Sequence, residues 1–261
     1  MFHQIKAKAP IVHCITNHVV SNFQANGLLA IGASPIMGEA PEEVAELAAL
    51  SQALSLNIGT LHTESLKSML IAGKKANQLG IPVVLDPVGA GASDFRIKAV
   101  REILESVHVN VLRCNAGELA AIAGEQWQSK GVDAGEGSLD VKNLAMTTAK
   151  KLKLVIAVTG PVDIVTDGEV VREIPFGNPV MTSVTGTGCL LSSAVAAGLA
   201  VSTKKTVEIA CDVLRDYAIA GEQASQKAHL PGEFQLAFLN QLASLTDEEV
   251  QKRISLQEET V

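Results

Sequence analysis

Short aliphatic and β-branched runs alternate with longer amphipathic stretches along most of the chain, the pattern of strands followed by helices. Ile11–Thr16 (IVHCIT) reads as a strand, and the helical segment after it stops near Gly32. Ser34–Met37 is a short extended piece, and Pro41 opens an acidic helix at a position where its missing N–H costs nothing. Ala53–Ile58 is a strand, and Thr63–Leu79 is a helix closed by Gly80. Pro82–Leu85, Val109–Leu112 and Leu154–Val158 are further strands. Between them, Ser93 to Ser106 is helical, Asn115 caps the next helix, and a Lys-rich helix runs from Leu139. DIVT, then Asp167-Gly168, then EVVRE predicts a hairpin with a primed turn. From Cys189 onward the pattern is mostly helical, and the tail TDEEVQKRISLQEETV reads as a solvated helix with no assigned role.

Strands that are apolar throughout, alternating with helices, specify an α/β fold with a mainly parallel sheet covered on both faces. The Gly-rich connection SKGVDAGEGS is too short for a domain linker, so residues 1–261 read as a single domain. Ligands of such sheets bind beyond the carboxyl ends of the strands. Those ends carry Thr16-Asn17, Met37-Gly38, Asp86-Pro87-Val88-Gly89, Arg113-Cys114-Asn115 and Thr159-Gly160, where polar, charged and glycine residues gather.

Composition narrows the function. With 47% hydrophobic and 19% charged residues the chain folds rather than staying disordered. A net charge of -7 and an aromatic content of 3% argue against nucleic-acid binding, which needs basic and stacking surfaces. The amino-terminal MFHQIKAKAP lacks the apolar core of a signal peptide, and no apolar stretch is long enough to span a membrane. Cys14, Cys114, Cys189 and Cys211 lie far apart without CxxC or zinc spacing and read as free thiols, which places the protein in the cytoplasm. His13, His62 and the other histidines show no paired ligand spacing, which argues against metal binding through histidine.

Four segments carry candidate chemistry. Gly186-Thr187-Gly188-Cys189 opens a helix of small residues, so its backbone amides could cradle an anion, and the helix dipole would favour a Cys189 thiolate. The alternative is a glycine turn for tight packing with Cys189 in the core. Asp86, followed by Pro87-Val88-Gly89-Ala90-Gly91, could hold Mg²⁺ through water, or could simply end its strand in a turn. Asn115 and Glu118 form a capping box, but Arg113 beside them needs an anionic partner. Asn17, His18, Asn22 and Asn26 make an unusually polar helix start. No GxxxxGK[ST], GxGxxG, GxSxG or HExxH occurs. An anion cradle, a carboxylate pair and an arginine together point to phosphoryl transfer, in which Cys189 is the candidate base.

CITNHVVSNFQANGLLAIGASPIM, LDPVGAG, RCNAGE, VTG and NPVMTSVTGTGC, in that order over nearly the whole chain, resemble the hydroxyethylthiazole kinases of thiamine salvage. The resemblance implies a three-layer ribokinase-like fold with a small β-hairpin. It also implies ATP- and Mg²⁺-dependent phosphorylation of the primary alcohol of 4-methyl-5-(2-hydroxyethyl)thiazole. Met37 and Gly186 would contact the thiazole with Asn17 nearby, Arg113 and Thr159 the ATP phosphates, and Asp86 and Glu118 the Mg²⁺ and its waters. Gly186, Thr187, Gly188 and Cys189 would form the catalytic cradle. The family forms trimers with sites shared between subunits, so a homotrimer is expected. Two departures stand out: Cys114 and Gly117 replace glycine and serine of the usual loop, and Cys189 stands where related sugar and pyrimidine kinases have aspartate. The alternatives are a hydroxymethylpyrimidine kinase, a nucleotide-hydrate dehydratase, or a non-catalytic binding protein on the same fold.

Overall fold

The computed structural model describes residues 1–125 and 140–259. Eight strands form one sheet in the order β2-β1-β3-β4-β5-β6-β7-β8. The parallel part comprises β1 (Ile11–Ile15), β2 (Ser34–Ile36), β3 (Ala53–Asn57), β4 (Val83–Asp86), β5 (Val111–Asn115) and β6 (Val155–Thr159). β7 (Asp163–Thr166) and β8 (Val171–Ile174) extend it as an antiparallel hairpin.

Successive strand residues feed two separate cores, as the pleat requires. Val12, Cys14, Val84 and Ala157 face one layer, built from α1 (Phe2–Lys8), α2 (Ser21–Ala30), α8 (Thr187–Val201), α9 (Thr206–Ser225) and α10 (Pro231–Ser244). Ile15, Leu85, Leu112 and Ile156 face the other. That layer holds α3 (Val44–Leu50), α4 (Thr63–Leu79), α5 (Asp94–Ser106), α6 (Ala116–Ala123) and α7 (Val141–Leu152). The last helix, α11 (Asp247–Glu258), packs on α9. Helix α8 lies across β1, β3 and β4, with Leu190 through Gly198 buried, which is why its sequence is apolar and small all round. No helix of the described residues is long and apolar enough to cross a membrane.

Three local expectations change. The hairpin closes with four residues, since Thr166 pairs with Val171, instead of the two of a primed turn. The Asp167 Oδ1 accepts the amides of Glu169 and Val170, so its side chain stabilises the longer loop, and only Gly168 has positive φ. The acidic helix begins at Val44, after a turn over residues 41–43. Strand β5 runs to Asn115, which carries Arg113 on the sheet itself. Residues 2–8 form a helix that buries Phe2 and Ile5, and the Met1 nitrogen lies 2.7 Å from buried Asp216, a partner no local pattern reveals. The SKGVDAGEGS connection and Leu139 lie outside the described residues.

Candidate active site

The carboxyl ends of β3 to β6 bring four polar side chains side by side: Asn57 pairs in register with Asp86, and Asn115 with Thr159. Asp86 is fully buried. Its Oδ2 accepts the Ser192 hydroxyl at 2.7 Å and lies 3.7 Å from Arg113 Nη1, while Oδ1 has no hydrogen-bond partner. Burial pushes the Asp86 carboxyl up to about 6, with Arg113 opposing the rise.

Arg113 Nη2 donates to Thr159 Oγ1 at 2.5 Å, and Nε is buried without a partner. Burial works against its charge, but Asp86 and Glu118 outweigh that and hold the guanidinium above its ordinary pKa. Glu118 completes the expected capping box: Oε2 accepts the Asn115 amide at 2.9 Å. Its other oxygen accepts the Gly89 amide at 2.8 Å, which ties the loop after β4 to the start of α6. Arg96 fixes the same loop from α5, donating to the carbonyls of Ile58, Gly59 and Val88 at 2.6, 2.7 and 2.7 Å.

The glycine-rich segment is the start of α8. Gly186 caps the helix at φ +95°, where a Cβ would come within 2.9 Å of Val20. The first intrahelical bond runs from the Leu190 amide to the Gly186 carbonyl, so the amides of residues 187–189 have no helical acceptor. The Thr187 hydroxyl is committed to the carbonyls of Met181 and Val184. Beside these amides lies a cavity of about 580 Å³ that collects Arg113, Asn115, Thr159, Thr187 and Gly188. Asp163, absent from the sequence-based set, lines the same cavity, and burial pushes its carboxyl up to about 6.

Asn17 and Cys189 meet outside that cavity lining: Asn17 Nδ2 donates to Asn57 Oδ1 at 2.9 Å and to Cys189 Sγ at 3.6 Å. Met37, half-buried at the end of β2, is likewise outside the lining. The buried His13 ring holds the adjoining Gly38 carbonyl at 2.8 Å. The expected thiolate does not form. Burial, with Asp86 adding to it, pushes the Cys189 thiol up to about 11, so desolvation prevails over the helix-start dipole.

The residues present suit a divalent cation. Asp86 Oδ1 is a buried carboxylate oxygen with no partner, and a cation would relieve it. The structure also gathers ligand atoms of His18, Glu39 and His62 within 4.8 Å of one another, from loops that sequence spacing does not connect. There, however, His62 Nδ1 accepts the Ser65 amide as the cap of α4. That places the ring proton of the neutral imidazole on Nε2 and leaves no free lone pair for a metal.

Asn57 and Ser192 are the partners that sequence reasoning missed. A polar residue closing the wholly buried strand ALSLN was the available signal for Asn57, by the same strand-end criterion that picked out Asp86.

The mostly parallel eight-stranded sheet with helices on both faces is the ribokinase-like fold. A ribokinase-like superfamily protein from Enterococcus faecalis shares the fold, with a TM-score of 0.67 at 13% identity over 91% of this chain and 88% of that one. The model of the hydroxyethylthiazole kinase family matches residues 2–248, and the chain belongs to that family. It is 50% identical to a hydroxyethylthiazole kinase of an Exiguobacterium strain, over 94% of this chain and 93% of the relative. The solved hydroxyethylthiazole kinase structure from Pyrococcus horikoshii gives a TM-score of 0.88 at 38% identity, covering 96% of this chain and 94% of that one.

Proposed function

We propose that this chain transfers the terminal phosphoryl group of ATP to the primary alcohol of 4-methyl-5-(2-hydroxyethyl)thiazole, a Mg²⁺-dependent step of thiamine salvage. The observation that carries the reading is the start of α8. Thr187 and Gly188 of its first turn line the Arg113–Thr159 cavity, while Cys189 in the same turn contacts Asn17. An ATP phosphate in the cavity and an alcohol beside Asn17, Met37 and Gly186 would therefore meet at Gly186 through Cys189.

Within this reading Arg113 and Thr159 bind phosphate oxygens, the guanidinium being already charged and aimed by Asp86. The amides at Gly186, Thr187, Gly188 and Cys189 stabilise charge on the transferring group. Asp86, and Glu118 through water, would hold Mg²⁺, which supplies charge neutralisation of the polyphosphate. Such a cation also answers an electrostatic conflict, because phosphates otherwise approach two carboxylates, the buried Asp86 and the half-buried Asp163. Cys189 sits beside the acceptor hydroxyl. With a thiol near 11 it acts mainly as a polar neighbour, since little proton removal is needed in a loose transition state.

Val19 and Leu29, exposed on the amino-terminal block next to Asn17, support a homotrimer in which a neighbouring subunit completes the thiazole pocket. The four free thiols support a cytoplasmic setting. A coupled ADP-release assay tests the activity: turnover is expected with hydroxyethylthiazole and not with hydroxymethylpyrimidine. No turnover with either overturns the kinase reading.

A further inference from the structure

Helix α11 begins at Asp247 and runs beyond the family match, which ends at residue 248, yet one of its side chains packs on the cavity wall. Arg253 Nε donates to Glu222 Oε2 at 2.7 Å and Nη2 to Glu222 Oε1 at 3.3 Å. The same guanidinium lies 4.8 Å from the centroid of the Phe176 ring. Glu222 Oε1 also accepts the Gly177 amide at 3.1 Å, and Gly177 has φ +114°, a left-handed backbone that other residues rarely adopt. Phe176 and Gly177 line the 580 Å³ cavity.

The lining of that cavity is of two unlike kinds. Arg113, Thr159 and Gly188 offer charge and hydrogen-bond donors, whereas Phe176, Pro179 and Met181 offer an apolar surface suited to a flat heterocycle. Arg253 grips the second kind twice, through a cation–π contact to Phe176 and through Glu222 to the Gly177 backbone. Both contacts are partly shielded from water, and neither involves Arg113, Thr159 or Gly188.

We propose that Arg253 is a positioning residue for the nucleotide base. It holds the Phe176–Gly177 wall in place, so the carboxyl-terminal helix sets affinity for ATP. This rests on the proposed kinase reading.

The test compares R253A, R253K, F176A and the R253A/F176A double variant with the wild type. Steady-state kinetics are measured for ATP and for hydroxyethylthiazole, ADP binding by calorimetry, and Tm alongside. R253A should raise the ATP KM and the ADP Kd about three- to tenfold. Its kcat at saturating ATP and its KM for the thiazole should stay within about twofold of wild type. R253K should recover part of the loss. The double variant should lose less ADP affinity than the product of the two single losses, because both residues act through one wall. An unchanged ADP Kd in R253A overturns the proposal. So does a loss in kcat and both KM values that follows a lowered Tm, since α11 would then be a general prop. Wild-type protein that binds no ADP removes the kinase reading and this inference with it, whereas wild-type binding with an unaffected R253A removes this inference alone.

Discussion

Gly188 and Arg113 share a space that leaves no room for a side chain: a Cβ on Gly188 would lie 2.5 Å from Arg113 Nη1. The glycine therefore admits the guanidinium to the helix start, and the backbone around it is otherwise compatible with alanine, since its φ is not positive. Gly188→Ala should displace Arg113 while the fold survives. The loss of a charged hydrogen-bonding contact, worth about 1.5–3 kcal/mol, corresponds to a fall of about ten- to a hundredfold in kcat/KM for ATP. Kinetics equal to wild type in a folded Gly188→Ala protein would remove the cradle from the site.

Arg113→Ala goes further, because it takes the charge away as well as the geometry. The ATP KM should rise and turnover should fall. Asp86 also loses its charged partner, and its carboxyl should move further up. Titration of Asp86 by NMR in both proteins reads this directly, and an Asp86 unmoved by the substitution would contradict the pairing.

The two raised carboxyls make stability depend on pH in an unusual direction. Asp86 and Asp163 titrate near 6 in the folded protein against 3.8 ordinarily. Between those values the native state holds protons that the unfolded chain has released. Their contribution to stability therefore falls as pH rises from about 4 to about 6 and is level above that. The Tm difference between wild type and the Asp86→Asn/Asp163→Asn double variant should change across this window, with the variant gaining relative stability toward neutral pH. A difference that stays constant from pH 4 to 7 contradicts the raised carboxyls.

Cys189→Asp should retain activity within about tenfold of wild type, because a carboxylate can accept the acceptor-alcohol proton that the thiol takes up poorly. Asn17 Nδ2 is in place to donate to it. Total loss in a folded aspartate variant would mean that sulfur itself is required.

The sheet was legible because its strands are apolar on both faces and separated by capped helices, so period and punctuation agree at almost every element. Thr63–Leu79 is recovered to the residue, and the Asn115–Glu118 box is present as expected. The hairpin loop misled because Asp167-Gly168 carries the sign of a two-residue turn, while the Asp167 side chain secures a longer one. The strand-end rule singled out Asp86, Arg113 and Thr159, since polar groups at the close of buried strands stand out locally. It did not reveal what they touch. Ser192 reaches Asp86 across 106 positions of sequence, and the Cys189 environment depends on burial by elements far away in the chain. Sequence pattern records which residues are polar at an edge, whereas a pKa is set by what packs over them.

The Ser192–Asp86 hydrogen bond has a mechanical meaning. Ser192 sits one turn beyond Cys189 on α8, so the carboxylate at the end of β4 is fastened to the helix whose first amides form the cradle. Carboxylate and helix start are thus tied together through a buried hydrogen bond, which fixes their spacing independently of the loops around them.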